Sequence, residues 1–135
     1  MLKYDQKYIV FDTETEGLNL CYSRPWQISW VEAQGKKIIS EHDLYVDYDD
    51  LNLSPMIKKM TGFSDAKYNR EKQPLADVWG ALKKYLLNPE YIVVGQNLLG
   101  FDVYMVAIMQ NMLGETPDYS YLDRIYDTRA LGRAY

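Results

Sequence analysis

The sequence predicts an α/β fold, because short apolar runs typical of buried strands occur together with segments of helical periodicity. The first run, residues 8–11, is rich in β-branched and aromatic residues, and extended segments follow at 25–33 and 38–46. Short links between these three segments predict a sheet with an antiparallel three-strand start. A further buried strand is predicted at 91–95, and apolar residues at helical spacing predict a flanking helix over 74–87.

Two acids, Asp12 and Glu14, follow the first strand and form the first candidate site. Side chains alternate along a strand, so both carboxylates are expected on one face, roughly 6.5 Å apart along the chain. Neighbouring carboxylates repel each other and resist desolvation, and a divalent cation such as Mg²⁺ or Mn²⁺ removes both costs. Taken alone, the pair is equally compatible with a solvated acidic turn at the end of a strand.

The second and third extended segments are predicted to form a hairpin through a turn at 34–37. Trp26, Ile28 and Trp30 alternate along the second strand and are expected on one face of it. The third strand holds His42, the sole histidine of the chain, which is predicted to be an exposed sheet residue and not a catalytic base.

The helices have recognisable ends in the sequence. Ser54 followed by Pro55 predicts the start of a short helix, whereas the polar residues 64–73 are predicted to be irregular. A helix over 100–113 is apolar on most of its circumference, so it is expected inside the core, with Gly114 supplying its left-handed end. Residues 121–126 are expected to form another strand. Asp127 is interpreted as the N-cap of a last helix that runs into Ala130 and Leu131.

Composition limits the class of protein. The chain has 135 residues, of which 47% are hydrophobic, which predicts one domain with its own core. A net charge of −4 argues against a module that merely grips a nucleic-acid backbone. Cys21 is the single cysteine, no apolar run approaches the ~20 residues of a membrane span, and no signal peptide is recognisable. A cytoplasmic protein without membrane association is therefore expected.

A third acid, Asp102, is predicted in the first turn of the helix over 100–113, just beyond the strand at 91–95. An acid at this position also stabilises a helix by itself, through the helix dipole. However, sheet enzymes gather their sites at the carboxyl ends of strands. If the two buried strands are neighbours, Asp12, Glu14 and Asp102 converge, which favours a metal site.

Three segments of the chain resemble a known family. Phe-Asp-Thr-Glu-Thr-x-Gly-Leu at 11–18 resembles the first motif of the DnaQ-like (DEDD) 3′–5′ exonucleases, and Asn-x-x-x-Phe-Asp at 97–102 resembles their second motif. The segment at 125–131 is similar to the Asp-Thr segment that follows in the family. The three matches agree in order and spacing and together span nearly the whole chain.

The resemblance implies a ribonuclease H-like fold with a mixed five-stranded sheet and flanking helices. It implies an exonuclease that releases nucleotides from DNA 3′ ends, with RNA left open as a substrate, by hydrolysis with two Mg²⁺ or Mn²⁺ ions. Asp12 would bridge both ions, Glu14 would bind the ion that carries the attacking water, and Asp102 would hold the second ion. The residues implied to bind the terminal nucleotide are Thr15, Gly17, Leu18, Asn97 and Phe101.

The family also has a third motif on a further C-terminal helix, with a His or Tyr general base and a fourth acid four or five residues later. The sequence stops at Tyr135, in the helix expected to precede that motif. Residues 1–135 are therefore expected to form a single, C-terminally incomplete exonuclease-like domain that is weakly active or inactive as it stands. The implied partners are the single-stranded 3′ end of DNA and either a DNA polymerase or the missing C-terminal segment, in DNA replication or repair.

Two alternatives remain open at the level of sequence. Phosphohydrolases of the haloacid dehalogenase type also place an acid pair after their first strand, although they use Asp-x-Asp, which Glu14 fits poorly. The second alternative is a non-catalytic domain that keeps the exonuclease fold and uses its surface for binding.

Overall fold

A computed structural model describes residues 4–129, which form one mixed sheet covered by helices. The strands of this part of the chain are β1 (Lys7–Thr15), β2 (Pro25–Gln34), β3 (Lys37–Val46), β4 (Lys72–Gln73), β5 (Tyr91–Gly95) and β6 (Ile125–Asp127). They lie in the order β4-β3-β2-β1-β5-β6. Pairing is antiparallel between β1 and β2 and between β2 and β3, and it is parallel between β1 and β5, β5 and β6, and β3 and β4.

The predicted α/β sheet with an antiparallel start is confirmed. Within residues 4–129 the sheet has six strands instead of the expected five, because the two-residue strand β4 pairs with the end of β3. The hairpin turn between β2 and β3 contains Gly35, whose φ of 58° lies in the left-handed region that favours glycine. The strand predicted at 121–126 is shorter and begins later in the structure, as β6 at Ile125–Asp127. A short 3₁₀ turn over Leu122–Arg124 precedes it.

The predicted cap residues Ser54 and Gly114 lie at helix ends in the structure. The helices of residues 4–129 are α1 (Pro55–Thr61), α2 (Asp65–Glu71), α3 (Leu75–Leu86) and α4 (Val103–Met112), and a π-helical turn (Leu98–Asp102) precedes α4. The Ser54 hydroxyl accepts a hydrogen bond from the Ile57 backbone N–H at 3.2 Å, as an N-cap does. Gly114 has a φ of 76°, which confirms the predicted left-handed end after α4. The helix predicted to run into Ala130 and Leu131 lies outside the described residues.

The prediction that residues 64–73 are irregular was wrong, because they form α2 and β4. Ser64 caps α2 by accepting from the backbone N–H of Lys67 at 3.3 Å. Tyr68 is buried, and its hydroxyl donates to the Val46 carbonyl at 2.5 Å and accepts from the Tyr48 N–H at 2.9 Å. These contacts join α2 to the end of β3 and are too distant in sequence for a local pattern to reveal.

The core lies between one face of the sheet and the helices α3 and α4. Helix α3 packs on β3 and β5 and against α4. Helix α4 buries residues around most of its circumference, as its apolar sequence predicts. Among the described residues, no helix is long and apolar enough to cross a membrane. Large side chains that are fully buried in the core include Ile9, Trp26, Ile28, Trp30, Trp79, Leu82, Leu86 and Met109.

Candidate active site

The two buried strands that carry the motifs are neighbours. Strand β1 pairs in parallel with β5, and Val10 lies opposite Val94 at the end of the ladder. Beyond this pair β1 continues along β2 as far as Thr15, and its last residues lie beside the segment 96–102 that follows β5. The pairing of β1 with β5 is thus the adjacency that the sequence analysis required for the three acids to converge.

Asp12 and Glu14 extend from the same face of β1. The side chains of Ile9, Phe11 and Thr13 are buried on the opposite face, which follows from the alternation of a strand. Although Asp12 reaches solvent, the surrounding protein desolvates its carboxylate enough to raise its pKa, against a hydrogen bond from the Thr13 backbone that lowers it. Burial and then the charge of Asp12 raise the pKa of Glu14. Both carboxylates thus experience the cost that a cation would remove.

Asp102 lies at the end of the π-helical turn, one residue before α4 begins, and its residue surface is 3% exposed. The Thr13 hydroxyl donates to Asp102 Oδ1 at 2.5 Å, across 89 residues of chain. Burial raises the pKa of Asp102 to about 7, the hydrogen bond from Thr13 opposes this rise, and the charge of Asp12 adds to it. Asp102 therefore lies close enough to Asp12 for the two charges to interact.

The three acids approach the end of β1 from two sides. Asp102 lies against Thr13 on the buried face, whereas Asp12 and Glu14 extend from the other face. Within residues 4–129 no group of three or more His, Cys, Asp or Glu side chains is arranged to hold a metal ion. The donor set nevertheless suits a hard cation, since it consists of carboxylate oxygens whose pKa values are all raised. The assignment of these residues as metal ligands remains a prediction.

The segment after β5 is held in place by Asp127 of β6. Asp127 Oδ1 accepts from the Asn97 backbone N–H at 2.8 Å, and Oδ2 accepts from that of Leu99 at 3.2 Å. Oδ1 also accepts from the Arg129 N–H at 3.0 Å, which agrees with the predicted N-cap. Burial acts to raise the pKa of Asp127, but these backbone donors outweigh it and lower the pKa. The sequence indicated the cap but not the bonds to residues 97 and 99.

Asn97 itself adopts the left-handed conformation, with a φ of 56°. Its side chain folds over Gly100, where a Cβ would collide with Asn97 Oδ1. Asparagine tolerates this backbone region better than most residues, and glycine leaves room for the amide. Asn97 thus shapes the turn that carries Asp102, and it lies outside the lining of the cleft that most of the other predicted substrate-binding residues share.

That cleft opens beside Glu14 and has a volume of about 550 Å³. Of the residues predicted to bind the terminal nucleotide, Thr15, Gly17, Leu18 and Phe101 line it. Helix α1 adds Met56, Ile57 and Met60 to the lining, which the sequence did not predict. The two methionines are four residues apart on a short helix and are 70% and 78% exposed. This apolar pair on an exposed helical face is the sequence signal that could have indicated this part of the lining.

His42 is half-buried, so the prediction of an exposed sheet residue was wrong. Its ring stacks on Trp30, with ring centroids 4.5 Å apart, and its Nε2 lies 2.9 Å from Ser40 Oγ. The opposite Trp30 is fully buried, and Tyr85 of α3 packs against both rings. His42 therefore belongs to an aromatic cluster between β2, β3 and α3.

Comparison with known proteins gives matches for the sequence as well as the fold. The profile of the exonuclease family of the RNase T type matches residues 9–135. The PolC-type DNA polymerase III of Caldanaerobacter subterraneus subsp. tengcongensis is 27% identical over 125 residues. This match covers 93% of the present chain and 9% of the polymerase, so the chain spans less than a tenth of that relative.

The solved structures that resemble this fold include exonuclease I. A crystal structure of SSB/exonuclease I with an inhibitor matches with a TM-score of 0.82 at 18% identity, over 96% of this chain and 30% of that one. The metal-free complex of the E. coli enzyme with single-stranded DNA has a TM-score of 0.80 at 18% identity, over 96% of this chain and 29% of that one. At this level of identity the similarity concerns the fold alone. The TM-scores confirm the predicted ribonuclease H-like fold.

Proposed function

The chain belongs to the family of DnaQ-like 3′–5′ exonucleases, and on this premise we propose that it takes part in removing nucleotides from DNA 3′ ends by hydrolysis of phosphodiester bonds. The observation that carries the proposal is the position of Asp102, which reaches β1 through Thr13 and interacts with the charge of Asp12. Acids from two distant segments, all with raised pKa values, are typical of a functional site.

Asp12, Glu14 and Asp102 would hold two Mg²⁺ or Mn²⁺ ions. When bound, such ions supply an activated water and stabilise the leaving oxygen of the phosphodiester. The proposed contribution of the chain is to bring acids from β1 and from the turn before α4 to the end of β1 and to desolvate them partly. The hydroxyl of Thr13 orients the Asp102 carboxylate with its hydrogen bond of 2.5 Å.

The terminal nucleotide would occupy the cleft beside Glu14. Its lining is largely apolar and includes Leu18, Phe101 and the two methionines of α1. Apolar and aromatic contacts with the face of a base are tolerant of sequence, because every base has a π-face. Such a cleft therefore suits an enzyme that removes any nucleotide, and Asn97 acts on it through the turn that positions Phe101.

A partner is proposed to contribute to DNA binding. The chain has a net charge of −4, whereas affinity for nucleic acid comes mainly from cationic contacts to phosphates. Its relative of the PolC type is a DNA polymerase, which supports a place beside a polymerase in replication. The single-stranded 3′ end of DNA is the proposed substrate.

Titration with Mn²⁺, followed by thermal melting, tests the metal site. A ligand that binds the folded state raises the melting temperature, and we expect a rise of several degrees at saturating Mn²⁺. Asp12→Asn should abolish this rise, because it removes the charge of a proposed ligand. Asp49→Asn, which alters an exposed acid in the loop after β3, is the matched control and should keep it. An equal rise in wild type and Asp12→Asn would exclude the proposed site.

A non-catalytic binding domain is the second candidate. It is favoured by the finding that residues 4–129 hold no ready cluster of three metal-binding side chains. A domain of this kind should bind single-stranded DNA without a Mn²⁺-dependent rise in melting temperature. Family membership argues against a phosphohydrolase of the haloacid dehalogenase type.

A further inference from the structure

The loop between β1 and β2 is closed at its base by Glu16 and Arg24. The Glu16 backbone N–H donates to the Arg24 carbonyl at 3.1 Å, and the Arg24 N–H donates to Glu16 Oε1 at 3.0 Å. Between them, residues 17–23 form a loop in which Gly17 and Leu18 line the cleft. The position of this part of the lining thus depends on what holds the base of the loop.

The guanidinium of Arg24 makes the strongest contacts at this base. Its Nε donates to Glu16 Oε1 at 2.8 Å and its Nη2 donates to Oε2 at 2.6 Å, which is the bidentate geometry of an arginine–carboxylate pair. Its Nη1 donates to Asp50 Oδ1 at 2.9 Å, and the group lies 4.2 Å from the ring centroid of Tyr48. Tyr48 in turn donates from its hydroxyl to the Pro25 carbonyl at 2.7 Å.

This pair is largely shielded from water. The side chains of Arg24 and Glu16 are 21% and 20% exposed, so the pair is screened less than a surface ion pair. The hydrogen bonds to Glu16 raise the pKa of Arg24 above its ordinary range, against the effect of burial. The Arg24 guanidinium therefore keeps its positive charge.

Leu18 has no comparable support from packing, because it is 86% exposed. Its place is set by the backbone of the loop, in which the Ser23 N–H donates to the Asn19 carbonyl at 3.0 Å and the Asn19 N–H donates to Ser23 Oγ at 3.1 Å. Leu18 stands between the cleft and a second concavity of about 530 Å³, which Asn19 and Tyr22 line. A shift of the loop would change both.

We propose that the Glu16–Arg24 pair is a positioning device that fixes Leu18 at the mouth of the cleft, so that the terminal nucleotide of a DNA 3′ end is gripped against it. The proposal rests on the proposed function, since it assumes that the cleft takes this nucleotide. Glu16 and Arg24 act through the loop and do not touch the reacting atoms. A purely structural role of the pair would affect stability and leave the grip on the nucleotide unchanged.

The test uses an eight-nucleotide DNA with 2-aminopurine at its 3′ end and a phosphorothioate before it, which resists cleavage. Arg24→Lys keeps the positive charge but cannot form the bidentate fork. We expect it to weaken binding roughly five- to tenfold and to reduce the fluorescence change of the terminal base, as loss of one contact with a base would. Its melting temperature should stay close to that of the wild type.

Arg70→Ala is the matched control, because Arg70 is an exposed arginine on α2 that pairs with its neighbour Glu71 at 3.2 Å. It should bind like the wild type. Glu16→Gln, Arg24→Gln and the double variant complete a cycle, in which the double variant should lose no more binding than either single variant. Hydrogen exchange should become faster in residues 17–23 of Arg24→Lys, with no change in α3 or α4.

Two results would overturn the inference in different ways. If the wild type binds the DNA, and Arg24→Lys binds it equally tightly with an unchanged fluorescence, the pair does not position Leu18 and the proposed function stands. If the wild type itself does not bind the DNA even at saturating Mn²⁺ and millimolar DNA, the cleft does not take the terminal nucleotide and the inference fails, whereas the metal site is decided separately by melting with Mn²⁺. Should Arg24→Gln prove unfolded, Arg24→Lys alone decides.

Discussion

The buried carboxyl group of Asp102 shows how a single position combines stability and function. It is 3% exposed, and burial raises its pKa to about 7. An aspartate in an unfolded chain has a pKa of about 3.9. Between these two values the folded state holds a proton that the unfolded state has lost, so stability must fall as pH rises through this interval. The ionised form that metal binding needs is therefore the form that destabilises the metal-free protein.

Asp102→Asn should make the protein more stable at pH 8 in the presence of a chelator. The amide has the size of the carboxyl group and its oxygen can still accept from the Thr13 hydroxyl, but it carries no buried charge. The gain in the free energy of unfolding has an upper limit of about 4 kcal/mol, which corresponds to a shift of about three pKa units. Urea denaturation at pH 8 and pH 4 measures it, and the gain should vanish at pH 4.

Asp123→Asn is the control for this comparison, since Asp123 is exposed on the 3₁₀ turn. Asp123→Asn should lack the gain in stability that Asp102→Asn shows at pH 8. A difference between Asp102→Asn and the wild type that is equally large at both pH values would contradict the raised pKa of Asp102.

At this scale the sequence predicted the acids but not their environment. Asp12, Glu14 and Asp102 could be singled out from their places after buried strands and from the family motifs. The hydrogen bond from Thr13 to Asp102 joins residues 89 positions apart, and a threonine inside a strand gives no local sign of it. The ionisation of a carboxyl group likewise depends on burial, which is a property of the folded chain.

Among the elements, the turn after β5 depends most on a distant residue. Asp127 accepts hydrogen bonds from the backbone N–H groups of Asn97 and Leu99, and Asn97 sits in a left-handed conformation that this arrangement must maintain. The turn ends at Asp102, so β6 influences the candidate active site without contributing to the cleft. Interpretation of Asp127 as a helix cap accounted for its bond to Arg129 alone.

Asp127→Ala should lower the free energy of unfolding by about 1–3 kcal/mol or more, because leaving even one buried donor without an acceptor costs roughly that amount. It should also reduce the rise in melting temperature caused by Mn²⁺, because the turn that carries Asp102 loses its support. Urea denaturation and melting with Mn²⁺ measure the two effects, with Asp123→Ala as the control. If Asp127→Ala has wild-type stability, the turn does not depend on β6.

The elements that the sequence predicted well are those with local signals. Ser54 and Gly114 mark helix ends by their own chemistry, and α1 and α4 end where expected. In contrast, α2 was missed because it depends on Tyr68, whose hydroxyl is bonded to backbone groups of residues 46 and 48. Polar composition alone does not reveal a helix that is held by one buried anchor.

In the molecule as a whole, the parallel pairing of β1 with β5 puts the two motifs at one edge of the sheet. In the sequence this adjacency was only a condition for the acids to converge, whereas composition predicted a single core. The chain gathers its acids at one end of β1, whereas its histidine, His42, is stacked on Trp30 in the aromatic cluster under α3. The acids proposed as metal ligands and His42 therefore lie on different parts of the described chain.

The 135-residue chain is therefore expected to bind Mn²⁺ weakly and to show little exonuclease activity by itself. Hydrolysis needs a base near the attacking water as well as bound cations. In the described part of the chain the acids form no ready three-ligand cluster, and His42 is held by Trp30 and Ser40. A net charge of −4 further weakens the binding of DNA, most strongly at low salt, where repulsion of the phosphates is least screened.

The release of nucleotides from a 3′-labelled single strand in the presence of Mn²⁺ measures this activity. Rapid release by the purified chain, lost in Asp12→Ala, would contradict this expectation and would mean that the acids complete a working site in solution.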